Sequence, residues 1–185
     1  MSTDEPPPSR IYLTLYVFRG DVDTWFNRHV LAYWTSPEDP ALTRTIHARR
    51  DDDDDDGQEQ QEGGPEEQEE GEAGEEGEGE GEELQPPAPW RVVTEETSKT
   101  WALDKKYLSH VNGGIVQVPR GQEARPAEIM ASVSVADREQ QTDWNGQHFV
   151  LEGLQKIVDQ GLQSGEWYDW VEGQLMDKLM DGAVP

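Results

Sequence analysis

Thirty-three consecutive residues, Asp51 to Glu83, contain six aspartates and thirteen glutamates, no lysine or arginine, and a single apolar residue, Ala73. A stretch of that composition cannot bury enough apolar surface to offset the entropy lost on ordering. It divides the chain into an expected disordered leader (residues 1–9, with three prolines at Pro6 to Pro8), one α+β domain made of 10–48 and 90–182, and an acidic disordered insert, 49–89. Setting those 33 residues aside changes the rest of the chain. They hold 19 of the 25 net negative charges, so the remainder carries 21 acids against 15 bases, and its apolar share rises from 33% to roughly 39%, ordinary for a small globular domain. Surface loops tolerate such insertions because the closure cost grows only logarithmically with length. A second reading makes the block a contact surface for a histone-like or otherwise basic partner.

Several function classes drop out. No run of about 18 apolar residues exists to span a membrane, and the first nine residues are acidic and proline-rich, the opposite of a signal peptide. The expectation is a soluble intracellular protein of the cytoplasm or nucleus, with no membrane contact. Zero cysteines remove disulfides, thiolate metal sites and thiol catalysis together. A formal charge of −25 disfavours direct contact with a nucleic-acid backbone, which needs a cationic surface. The small basic pieces, Arg44 to Arg50 and Lys105–Lys106, read as solvated charge. None of the four histidines falls in HxxxH or HExxH spacing, and no phosphate loop, dinucleotide fingerprint or serine elbow is present. No metal or cofactor is expected.

Secondary structure is legible in patches. Arg10 to Arg19 (RIYLTLYVFR) is dense in aromatic and β-branched residues and predicts a strand, as do Arg28 to Trp34, Leu42 to Ala48, the run from Trp90, and a segment ending at Gly114 to Pro119. The acidic insert then interrupts a sheet. Pro126 to Ala131 predicts a short helix, and the stretch to Asp143 predicts irregular chain. From Gln147, apolar residues at Val150, Leu151, Leu154, Ile157 and Val158 mark one helical face that stops at Gly161. A second helix, Glu166 to Met180, has Trp167, Val171, Leu175 and Leu179 in an i, i+4 row, which Trp170, Met176 and Met180 are expected to widen. The fold class that follows is α+β, about five mainly antiparallel strands with C-terminal helices.

Two features carry the functional argument: His29 entering the strand Arg28-His29-Val30-Leu31-Ala32-Tyr33-Trp34, and Asp143-Trp144-Asn145-Gly146-Gln147-His148-Phe149-Val150 opening a helix. The pairing resembles a group of fungal proteins of uncharacterised function in which a His-bearing strand precedes a Trp-Asn-Cys-Gln-x-Trp/Phe-Val helix opening. That arrangement is in turn similar to circularly permuted papain-like domains such as the lecithin-retinol-acyltransferase and PPPDE groups. The resemblance covers residues 10–48 and 90–180 and implies a cysteine at a helix N-terminus, where the dipole and a neighbouring imidazole stabilise its thiolate. Position 146 holds glycine instead. The resemblance therefore implies a vacated site with His29, Gly146, Asn145 and His47 as its members.

The nearest hydroxyl is Thr142, Asn145 and Gln147 are poor nucleophiles, and His148 reads as a partly exposed polar residue. Outside a site, His29 reads as packing. The expected function is a noncatalytic binding or interaction module, a pseudoenzyme with an unspecified protein partner. The alternatives are a hydrolase or acyltransferase with another nucleophile, and an acidic-loop binder of a basic partner.

Overall fold

Alternation builds the first strand. In β1 (Ser9–Phe18), Ile11, Leu13, Leu15 and Val17 are fully buried on one face, and Arg10, Tyr12, Thr14 and Tyr16 point to the other. Four further strands, β2 (His29–Thr35), β3 (Thr43–Arg50), β4 (Trp90–Glu95) and β5 (Tyr107–Val118), complete a five-stranded sheet of order β4-β3-β2-β1-β5. Every pairing is antiparallel. The computed structural model describes residues 6–50, 88–96, 98–136, 138 and 140–184. The leader and insert expectations for 1–5 and 51–87 lie outside the described residues. Within them, Ser9 opens β1 and donates its hydroxyl to Glu123 at 2.7 Å, while Arg49 and Arg50 extend β3 into the span assigned to the insert.

Strand β5 ends at Val118, within the Gly114 to Pro119 ending foreseen for it, and begins at Tyr107, a start the sequence left open. Gly113 and Gly114 form an irregularity inside the strand, with the register against β1 shifting between Leu13 and Thr14. Gly114 has φ of 79°, and a Cβ on Gly113 would come within 2.7 Å of the Leu13 side chain. Only glycine allows both.

Three helices cover one face: α1 (Arg125–Ala131), α2 (Gly146–Asp159) and α3 (Gly165–Met180). Phe149, Val150, Leu154 and Ile157 of α2 and Val171, Leu175 and Leu179 of α3 are fully buried against the odd-numbered side of β1. Gly161, at φ 71°, ends α2 in a Schellman arrangement in which Leu162 N–H donates to the Ile157 carbonyl. The widened stripe expected on α3 is corrected in part: Met176 packs partly buried against the core, but Trp170 and Met180 do not belong to the stripe. Trp170 is 51% exposed and Met180 57% exposed, because at about 100° per residue Met180 lies opposite Val171 and Trp170 lies a quarter-turn away. Trp167 is partly buried, and its indole N–H donates to the Gly113 carbonyl at 2.7 Å, tying the helix to the irregular point of β5.

The β4-to-β5 connection crosses the opposite face of the sheet. Its short 3-10 turn, Trp101–Leu103, lays Trp101 against Phe18 and Leu31, with Tyr16, Tyr33 and Tyr107 around them. No helix among the described residues is long and apolar enough to cross a membrane.

Candidate functional site: a cleft at the split of the sheet

The ladder between β2 and β3 runs from Thr35 opposite Thr43 to Ala32 opposite Ile46 and stops there. Beyond that point β2 stays paired with β1 as far as His29, and β3 stays paired with β4 as far as Arg50. The two strands splay, each braced by its outer neighbour. The N-terminus of α2 meets the sheet at this split. A Cβ built on Gly146 would sit 3.7 Å from His29 Nδ1 and 3.0 Å from the Ala48 carbonyl oxygen.

Local chemistry explains why the helix starts there. The Asn145 side-chain oxygen accepts from the N–H groups of Gln147 (2.9 Å) and His148 (3.3 Å), and the His148 ring accepts from the Asn145 N–H, closing a capping box. The amides of the same motif hold the segment leading into β2. Gln147, 3% exposed, donates to the carbonyls of Trp25, Phe26 and Arg28, and Asn145 Nδ2 donates to Phe26 O at 3.0 Å. His29 is thus set in place by the residues that flank position 146.

Arg28, only 4% exposed, completes the support. Its guanidinium pairs with Asp23 at 2.9 Å and donates to the carbonyls of Lys178, Leu179 and Asp181 at the end of α3. The hydrogen bond from Arg28 holds the Asp23 carboxyl below the usual carboxylate range. A cation at a helix C-terminus also complements the dipole.

His29 and His47 meet edge to face, ring centroids 4.9 Å apart. Burial, with Arg49 nearby, pushes the His29 pKa down to about 4. Burial, then His29, Arg49 and Arg91, pushes His47 down to about 3. Both imidazoles are neutral at pH 7. His29 is densely surrounded yet keeps part of its surface open to the cleft, so its neutrality is a property of its packing and not of full enclosure.

The cleft has a volume of about 710 Å³, within the range of small-molecule sites. It brings together all four foreseen members, His29, His47, Asn145 and Gly146, and also Thr142. Its apolar wall is Phe18, Leu31 and Trp101. Among the described residues, His47 Nδ1, Trp90 Nε1 and Trp101 Nε1 are buried without a hydrogen-bond partner, at a cost of about 1–3 kcal/mol each. The other two histidines lie elsewhere in the network. His148 serves the helix cap, and His110, on β5, contacts the Tyr107 hydroxyl at 2.8 Å. Of the acid pair Glu95–Glu96, Glu95 lines the cleft and Glu96 pairs with Arg44 at 2.8 Å. Among the described residues no group of three or more His, Asp or Glu is placed to hold a metal ion.

Trp144, the first residue of the motif, is structural. Its indole donates to Glu152 at 2.8 Å, its ring meets Trp90 at 5.0 Å, and Arg138 lies over it while pairing with Glu152. Sequence reasoning missed Arg28, Phe18 and Trp101. The only local sign of Arg28 is a cation beside His29 at a strand start, and nothing near Trp101 in sequence points to the cleft. Comparison with family profiles, with curated proteins and with solved structures finds no match for this chain.

Proposed function

We propose that the chain is a noncatalytic binding module on a permuted papain-like scaffold whose nucleophile is missing. The observation that carries this reading is the geometry at position 146: a helix-opening residue whose Cβ position lies 3.7 Å from His29 Nδ1 is a glycine, in a chain without cysteine. A thiol there would have the dipole of a 14-residue helix to favour its thiolate, and beside it the neutral His29 imidazole to take up its proton. With glycine there is no atom to attack a carbonyl, while the cleft, its apolar wall and its hydrogen-bonding groups remain.

The test restores the missing atom. Gly146→Cys should give a thiol with a pKa below the reference value of about 8.5 and an alkylation rate above that of a free thiol below about pH 8. The Cβ has to be accommodated against the Ala48 carbonyl, so a structural check by amide spectra accompanies it. Adding His29→Ala should remove part of the enhancement. A thiol that titrates near the reference value and ignores His29 would sink the papain-like reading. The wild-type chain should turn over no ester or amide in a substrate panel. Turnover abolished by His29→Ala would favour the hydrolase alternative, with Thr142 the first hydroxyl to replace. The acidic-loop alternative predicts that a basic partner is lost on deletion of 51–83 and is indifferent to the cleft.

A further inference from the structure

One wall of the cleft is attached differently from the rest. Between β4 and β5, residues 98–105 cross the face of the sheet away from the helices, and Trp101 is the one buried side chain among them. Leu103 beside it is 83% exposed. Among the described residues, the hydrogen bonds and ion pairs that 98–105 make stay within 99–107, as in Leu103 N–H to the Thr100 carbonyl, Asp104 N–H to the Trp101 carbonyl and Lys99 to Asp104. Ties to the rest of the chain stand at the two ends. Glu96 pairs with Arg44 at 2.8 Å, and the Lys106 carbonyl accepts from the Arg19 N–H at 2.7 Å while its amine pairs with Asp21. In the middle, Trp101 lies edge to face on Phe18 at 6.0 Å, in a small cluster with Leu31 that is separate from the main core, and Phe18 reaches the His29 ring at 6.3 Å. This seat is incomplete. The Trp101 indole N–H is buried with no partner among the described residues, and it would regain a hydrogen bond in water.

We infer that the β4-to-β5 connection is a lid on the cleft and that Trp101 is its latch. Residues 98–105 lift while both ends stay tied, and Phe18 and Leu31, 6% and 2% exposed under the closed lid, open toward the cleft they line. A segment with one buried anchor and hydrogen bonds at the surface belongs to the low-stability end of a fold and opens without unfolding the rest. Withdrawing the indole empties one aromatic seat. The core under the helices is left intact, because the two clusters occupy opposite faces of the sheet. The closed lid hides the apolar end of the cleft beside His29, and the open lid presents it. The inference concerns access to the cleft already described and rests on the reading of that cleft as a binding site.

Two indoles of the wild-type full chain make the test. Trp34, in the helix-covered core, and Trp101, in the small cluster on the other face, each bury an N–H without a partner among the described residues. Their hydrogen exchange therefore reports burial and not bonding. It is followed by NMR along a urea series, with Trp34→Phe and Trp101→Phe to assign the signals. Trp101 should exchange at least about 100-fold faster than Trp34, at a rate flat in urea below the unfolding transition, while Trp34 follows global unfolding. A second arm asks for more than the entry of water. The chain has no cysteine, so Leu31→Cys beneath Trp101 and Leu15→Cys beneath the helices each carry a single thiol. A bulky thiol reagent should label Leu31→Cys by the same urea-independent route, about tenfold or more faster again when Trp101→Ala is added, and reach Leu15→Cys only through unfolding. Equal rates and equal urea dependence for the two indoles, labelling of Leu31→Cys no faster than that of Leu15→Cys, or labelling of Leu31→Cys indifferent to Trp101→Ala would each overturn the inference. A normal thiol in Gly146→Cys would overturn the scaffold reading and leave the lid standing, whereas a fixed Trp101 would overturn the lid alone.

Discussion

Helices meet this sheet in two ways. Helix α3 lies side-on, with Val171, Leu175 and Leu179 fully buried against apolar strand residues, and its one inward indole N–H is bonded to Gly113. Helix α2 packs similarly along its length but also meets the sheet end-on, where β2 and β3 part and its first residue, Gly146, approaches the His29–His47 ring pair. The first contact is made of apolar burial and satisfied polar atoms. The second retains buried polar atoms that the described chain does not satisfy. Methyl burial against a close-packed face contributes stability that is indifferent to pH. Buried neutral imidazoles contribute a stability that depends on it.

The largest effect expected from this contrast lies under α3. Leu175→Ala should cost about 2–5 kcal/mol, the lost transfer energy plus a residual cavity, measured by urea unfolding. Trp170→Ala on the exposed side of the same helix should stay within about 0.5 kcal/mol. Near-equal losses would mean that the α3 face is not the core it forms here.

A middle-sized effect separates the two contacts by pH. His29 and His47 bind a proton near 6.5 when unfolded but only near 4 and 3 when folded. Between those values the unfolded state carries more protons, so stability is full above about pH 6.5 and falls as the pH drops toward 4, by up to about 1.4 kcal/mol per pH unit for each histidine. His47→Asn should flatten the slope between about pH 6.5 and 5.5, above the range where Asp23, Glu38 and Glu123, whose carboxyls are depressed in the folded state, begin to take up protons in the unfolded chain. Leu175→Ala should lower the whole curve and leave its slope unchanged. A slope untouched by His47→Asn would show that the imidazoles are not buried in the neutral form.

The smallest effect concerns the acidic block. Arg50 and Trp90 are register partners on adjacent antiparallel strands, and six pairs from Thr45–Glu95 to Arg50–Trp90 hold β3 to β4. Joining those strands by a short turn in place of 51–83 should leave thermal stability nearly unchanged. A large loss would tie the core to the acidic residues.

Legibility followed the range of the interactions. The helical rows at Val150, Leu154 and Ile157 and at Val171, Leu175 and Leu179 were readable, because a 3.6-residue period places them on one face whatever they pack against. Trp170 and Met180 were misplaced for the opposite reason. Their apolar character says nothing about which side of α3 is covered, and the side they occupy leaves about half of each exposed. In the site, His29, His47, Asn145 and Gly146 were named in advance, and the structure brings them to one cleft. Trp101 was not, since it reaches the cleft only because the β4-to-β5 connection crosses the sheet.

What the sequence by itself determined is local. The alternation of β1, the Asn145 cap, the Gly161 stop and the absence of any thiol are properties of neighbouring residues or of composition, and period, capping and chemistry act within a few positions. The tertiary structure alone decided that β5 pairs with β1 across an irregular Gly113-Gly114 register, that β2 and β3 separate beyond Ala32, and that Arg28 closes the end of α3 some 150 positions away. Those outcomes depend on which distant surfaces fit together, and a strand's side chains record which face is buried without recording the partner that buries it.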